Sequence, residues 1–164
     1  MDNAIITGKL KTRFTQGILS VDEQGDMLTI VAAKEEIHEV IRFLKENESL
    51  GFTFLTTLCG IHYPDQELQL GVVYHLHRFS DNTRIRIKTF LPLENPEVPT
   101  VTDLFSAANW MERETYDFYG IIFKGHPNLK RILNVEYLDY FPMRKEYPLE
   151  DPTREDKDNR FFGR

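Results

Sequence analysis

The segment Asn109-Trp-Met-Glu-Arg-Glu-Thr-Tyr-Asp-Phe-Tyr-Gly120 constrains this chain more than any other part of it. It sets three carboxylates (Glu112, Glu114, Asp117), one arginine (Arg113) and a run of aromatics on a helix-sized stretch, then stops at a glycine. A helix so rich in both charge and apolar surface has to be fixed between a core and something else. Thr100 or Thr102 can cap its start, Leu104, Ala108, Met111, Thr115 and Phe118 trace an apolar stripe, and Gly120 can end it in the left-handed conformation. Glu112 and Glu114 project about 200° apart on such a helix, so they do not converge on one substrate atom. Arg113 and Asp117 stand at i, i+4 and can pair. With no nearby nucleophile and no suitably placed histidine, the segment reads as structural, and no catalytic residue is expected in it.

Upstream, the periodicities alternate between strand and helix. Residues 4–14 suit either a short helix or a strand. Ile18-Leu-Ser-Val and Met27-Leu-Thr-Ile-Val-Ala flank Asp22-Glu-Gln-Gly-Asp, a hairpin pattern with Gly25 at the turn. Lys34 to Glu48 is an amphipathic helix, with Ile37, Val40, Ile41 and Leu44 on one face and an acidic first turn suited to the helix dipole. Phe52–Ile61, Leu70–Phe79 and Thr83–Leu91 are strand candidates. The second places Leu70, Val72, Tyr74 and Leu76 on one face. The third sets Ile85, Ile87 and Thr89 against Arg84, Arg86, Lys88 and Phe90, the pattern of an antiparallel strand with one wet face. Seven of the eight prolines lie at or beyond residue 92, so Pro92–Pro99 reads as a linker that ends the sheet.

The 164 residues suffice for one domain with a proper core. The net charge of −6 argues against general nucleic-acid binding. No apolar run approaches the ~20 residues that span a bilayer, and the first residues lack the basic and apolar regions of a signal peptide. The expectation is a cytoplasmic chain, or one at a membrane only through a partner. Residues 1–123 hold 11 basic and 18 acidic side chains, whereas residues 124–164 hold 9 and 8. The C-terminal quarter therefore reads as a separate unit: a domain over 1–123 and an extended docking arm over 124–164. Half of the 20 aromatics lie between Phe105 and Tyr147, interleaved with Lys130, Arg131, Arg144 and Lys145. Arginine and aromatics are enriched at protein contact cores. Part of this arm must fold back on its own domain, but so many aromatics free in water would be a solubility liability.

The remaining chemistry is thin. His75-x-His77 puts two imidazoles on one strand face, which can begin a metal site, yet no third ligand stands at a telling spacing. The lone Cys59 excludes an intrachain disulfide and a cluster held by four thiolates of this chain. No glycine-rich nucleotide loop occurs. Metal and cofactor sites are thus not expected.

The residues Glu112-Arg113-Glu114, Asp117, Phe118-Tyr119-Gly120, His126, Lys130, Ile132 and Leu133 closely resemble the signature of one family, the 30-kDa or C subunit of respiratory NADH:quinone oxidoreductase (complex I). Pro99-Thr-Val-Thr-Asp-Leu-Phe before it and Pro142-Met-Arg-Lys-Glu-Tyr-Pro-Leu149 after it are also similar to the family. In the latter, Tyr140-Phe141 stand where members usually carry Gly-His, Met143 replaces a common Leu and Glu146 a common Asp. The resemblance implies an α/β (α+β) two-layer fold, with a small mixed, largely antiparallel sheet flanked by helices and an extended irregular C-terminal arm. It implies a non-redox structural subunit of the peripheral arm, lying on the cytoplasmic side of the inner membrane. The protein would dock the quinone-site D (49-kDa-like) subunit near the B subunit, with FMN and Fe–S clusters carried by partner subunits and none by this chain. Lys130, Arg131, Tyr140, Phe141, Arg144, Lys145 and Tyr147 would then be the partner interface. The alternative is the same module in a membrane-bound hydrogenase or a quinone dehydrogenase with another electron donor.

Overall fold

The computed structural model describes residues 2–23 and 27–147. Its framework is a five-stranded sheet with three helices. Residues Asn3–Arg13 form helix α1, which settles the ambiguous N-terminal segment. Asp2 accepts the Ala4 N–H at its start, and Ile6 and Leu10 are its buried contacts. Strands β1 (Ile18–Asp22) and β2 (Leu28–Ala32) pair antiparallel. The turn expected at Gly25 lies outside the described residues. Helix α2 (Ile37–Glu46) buries Ile37, Val40, Ile41 and Leu44 completely, as the 3.6-residue spacing predicts. It is shorter than expected because residues 34–36 form a preceding turn.

Strands β3 (Phe54–His62), β4 (Leu70–Arg78) and β5 (Thr83–Leu91) follow as a meander. The order across the sheet is β1-β2-β5-β4-β3, and only the β2–β5 pair is parallel. Alternation puts Leu70, Val72, Tyr74, Leu76, Ile85, Ile87 and Leu91 on one face. There they share a single core with Leu28, Ile30, Ala32 and the apolar sides of α1 and α2. Helix α3 joins the same core through Ala108, and among the described residues the opposite face of the sheet carries no helix. The architecture is the expected two-layer α/β fold with a mostly antiparallel sheet.

Two expectations fail beyond residue 92. The linker contains a strand, β6 (Glu97–Pro99), which pairs parallel with β7 (Ile122–Lys124), just past the signature helix. Three-residue strands are too short to show a period of two. The signature helix itself, α3 (Ala108–Tyr119), begins well after Thr100 and Thr102, with Ala107 at its cap position and no side-chain cap. The hydroxyl that would have capped it is engaged elsewhere: Thr100 donates to Glu112.

Candidate functional site: the signature helix and the arm it holds

Helix α3 inverts the usual rule for charge. Its buried residues are Ala108, Glu112, Thr115 and Asp117, while Met111 and Phe118, assigned to the apolar stripe from the sequence, are only half-buried. Two carboxylates point inward because each has a length of backbone to hold.

Glu112 is fully buried. It accepts the Thr100 hydroxyl and, at 2.8 Å, the Val101 N–H. This fastens the 100–107 segment, which α2 also grips through Lys45 to the Leu104 carbonyl and His38 to Asp103. Desolvation outweighs those hydrogen bonds and the small opposing pull of His38, and pushes the Glu112 carboxyl up to about 7.

Asp117, also fully buried, has a richer set of partners. One oxygen accepts the backbone N–H groups of Ile132, Leu133 and Asn134 at 3.1, 2.8 and 2.8 Å. The other accepts Arg131 Nη1 at 2.8 Å and the Asn134 side-chain amide at 3.1 Å. Burial raises its pKa, but the Asn134 N–H, Arg131 and the next two N–H groups outweigh that and hold the carboxyl far below the ordinary range. Arg131 then reaches onward to the carbonyls of Leu138 and Tyr140. A single aspartate on α3 thereby organises residues 131–140 of the arm.

Arg113 does not pair with Asp117, as the i, i+4 spacing suggested. It turns outward along the arm and donates to the carbonyls of Lys130 and Arg131, while Trp110 stacks on its guanidinium, 5.3 Å from the ring centre. The reason is competition: the Asp117 oxygens are already filled by Arg131 and three N–H groups. Glu114 is exposed and lines a groove of about 420 Å³ between β3 and α3, walled by Phe118, Tyr119 and Met143. His126 Nε2 donates to the Asn109 carbonyl, and its Nδ1 accepts the Asn128 N–H. These contacts seat the start of the arm on the start of α3.

The C-terminal end of α3 is equally built. Gly120 closes it at φ +75°, and its N–H reaches the Tyr116 carbonyl. A methyl group there would lie 2.5 Å from the Phe141 ring, so glycine serves both the backbone turn and the seat for Phe141. That ring meets the guanidinium groups of Arg131 at 5.1 Å and Arg144 at 4.8 Å. Arg144 also donates to the Tyr119 carbonyl, Met143 N–H to Phe118, and Lys145 N–H to His62 Nδ1. Gly60 on β3 allows the Tyr119 ring to approach where any side chain would collide.

Of the seven residues expected at a partner interface, Arg131, Phe141 and Arg144 spend their polar or aromatic groups against the rest of the fold, and the rings of Tyr140 and Tyr147 pack on each other at 4.9 Å. Lys130, Tyr140, Lys145 and Tyr147 are exposed. Sequence reasoning missed Tyr137, the most exposed large apolar side chain among the described residues at 86%, and Val135 at 48%; Leu133 is 65% exposed. Pro148 and Leu149 lie outside the described residues. The two strand histidines diverge: His75 accepts Arg86 Nε at 2.9 Å, and His77 bonds Asn82 at 2.8 Å. Among the described residues no cluster of three His, Cys, Asp or Glu side chains could hold a metal, and no helix is long and apolar enough to cross a membrane.

The family profile described as "Respiratory-chain NADH dehydrogenase, 30 Kd subunit" matches residues 30–153, from β2 through the arm. The chain belongs to this family. It is 43% identical over 150 residues to the C subunit of NADH-quinone oxidoreductase from Roseiflexus sp. (strain RS-1), a match covering 91% of this chain and 86% of the relative. The corresponding C subunit from Citrifermentans bemidjiense is 40% identical over 147 residues, 90% of each chain. Among solved structures, the trypsin-resistant fragment (1–134) of Nqo5 superposes with a TM-score of 0.64 at 34% identity, covering 76% of this chain and 98% of the fragment. A chain of the membrane-bound sulfane sulfur reductase, an archaeal respiratory membrane complex, shares the fold with a TM-score of 0.74 at 22% identity, covering 94% and 96%.

Proposed function

We propose that this chain is the C subunit of a proton-translocating NADH:quinone oxidoreductase, a non-redox structural part of the peripheral arm on the cytoplasmic side of the membrane. The observation that carries this reading is the family match, which runs unbroken through α3 and into the arm. The geometry supports a division of labour. Glu112 fastens the segment before α3 to the helix, and Asp117 fixes the arm after it. Residues 124–164 act as a docking arm, in which Arg131, Arg144 and Phe141 shape the ridge from within. Lys130, Tyr140, Lys145 and Tyr147, with Tyr137 and Leu133, present it to the D (49-kDa-like) subunit near the B subunit. FMN and Fe–S centres reside in partner subunits. Electron transfer falls steeply with distance, so a protein without a redox centre still matters by keeping its neighbours in register.

Deleting the gene and assaying membranes tests this directly. NADH:quinone reduction should disappear while NADH oxidation by an artificial acceptor persists, and the D-like subunit should no longer co-purify with the membrane part. An isolated chain that oxidised NADH or reduced quinone unaided would overturn the reading. A native assembly purified without an NADH-oxidising flavoprotein would favour the hydrogenase-type or other-donor alternative.

A further inference from the structure

We propose that the helix-free face of the sheet is a second docking surface, separate from the arm, and that it receives an acidic segment of a neighbouring protein subunit. Strand β5 carries Arg84, Arg86 and Lys88 at alternate positions on that face, which spaces their Cα atoms about 7 Å apart. The chain as a whole is acidic, with a net charge of −6 and a pI near 5.4, so three cations in one row run against its average. Register places their neighbours. Arg84 lies beside His77, with Phe54 one strand further; Arg86 lies beside Thr29 and His75, with Asp22 and Thr57 one strand further on either side; Lys88 lies beside Val31 and Val73, with Cys59 one strand further.

Arg86 is held in place without being neutralised. Its Nε donates to His75 and its Nη1 reaches the Thr29 hydroxyl, 3.4 Å away. Both acceptors are uncharged: His75 takes the bond on Nε2, and burial with Arg86 and Lys88 lowers its pKa. Among the described residues no carboxylate forms an ion pair with Arg84, Arg86 or Lys88. Asp22, on the edge strand β1, stands in register with Thr29, one strand beyond Arg86, and Glu114 lies on α3 beside β3. A guanidinium positioned by neutral partners keeps its charge for a ligand, and charge pairs of this kind fix register and raise association rates.

The apolar groups around the row favour a protein over a free anion. Phe54 and Phe79 stack at 5.2 Å on one end and are 44% and 65% exposed. Tyr63 and Phe90 pack at 6.3 Å near the other end. Cations flanked by aromatics are the composition of a contact core. Carboxylates on one face of a strand, or at i, i+4 on a helix, recur at about 6–7 Å and match the row.

The test uses the native assembly and a zero-length carbodiimide crosslinker, which joins lysines only to carboxylates in contact. Lys88 should link to an Asp or Glu of another chain. Links from Lys88 confined to this chain, or absent, overturn the proposal. If Lys130 and Lys145 still link to other chains, the arm reading survives independently. Arg84→Glu with Lys88→Glu should cut retention of this protein in the assembly after a salt wash about tenfold, and Arg84→Gln with Lys88→Gln should fall between. The isolated full-length variants should melt with the wild type, since both side chains face away from the core; a variant that melts early is replaced by the Gln pair. Retention unchanged by the Glu pair overturns the proposal. Flotation of the isolated wild-type chain with phosphatidylglycerol vesicles, lost in the Glu pair, would assign the face to lipid and overturn it as well.

Discussion

The two ends of α3 bury the same chemical group to opposite effect. Glu112 and Asp117 are both fully inaccessible, yet burial drives the first carboxyl up to about 7, and partners hold the second far below its usual value. The difference is the partner set. Asp117 has three backbone N–H groups, an amide and a buried guanidinium; Glu112 has one N–H and one hydroxyl. A buried carboxylate stays charged only when its lost hydration is replaced. Asp117 is therefore a committed anion that orders the arm, whereas Glu112 is a fastener whose burial costs least when it carries a proton.

The contrast can be broken most forcefully at Asp117. Asp117→Ala leaves Arg131 buried without its counter-charge and frees three N–H groups, a loss of about 3–5 kcal/mol. Thermal melts should show that loss, and trypsin should cut sooner after Lys130 and Arg131. A digestion pattern like the wild type's would mean that the arm is held by other contacts. Acid should act in the same direction. The Asp117 contribution is present above the unfolded pKa of about 3.9 and fades as pH falls below it.

Glu112 should behave in the reverse sense. Its folded pKa lies above the unfolded value of 4.5, so its contribution is complete below pH 4.5 and declines as pH rises towards 7. Relative to Glu112→Gln, the wild type should lose up to about 1.4 kcal/mol per pH unit across that window and then level off. A difference in melting temperature that does not change with pH would remove the contrast altogether.

Smaller effects sharpen the account of the arm. Gly120→Ala should cost about 1–2 kcal/mol for the left-handed backbone alone, plus the collision with Phe141. Combining it with Phe141→Ala should remove the second part, and an unchanged cost in the double variant would deny the ring its seat. Lys130→Ala with Lys145→Ala should shift stability by less than about 0.5 kcal/mol. The same pair should lower co-purification with the D-like subunit; normal recovery would count against these lysines as contacts.

Local periodicity was enough to locate α2, β4 and β5, to assign their core faces, and to end α3 at Gly120, because those signals are carried by residues within one or two turns of each other. The same local reading placed Glu112, Arg113 and Asp117 together on that helix. Tertiary structure alone decided what they hold. Asp117 chooses Arg131 and the N–H groups of 132–134 over Arg113, and Thr100 serves Glu112 instead of capping a helix. The parallel pairings of β2 with β5 and of β6 with β7 belong to the same class. Each joins groups far apart along the chain, or too few residues to show a period. Competition for buried hydrogen bonds is settled by which groups the folded chain brings within reach, and no local pattern encodes that.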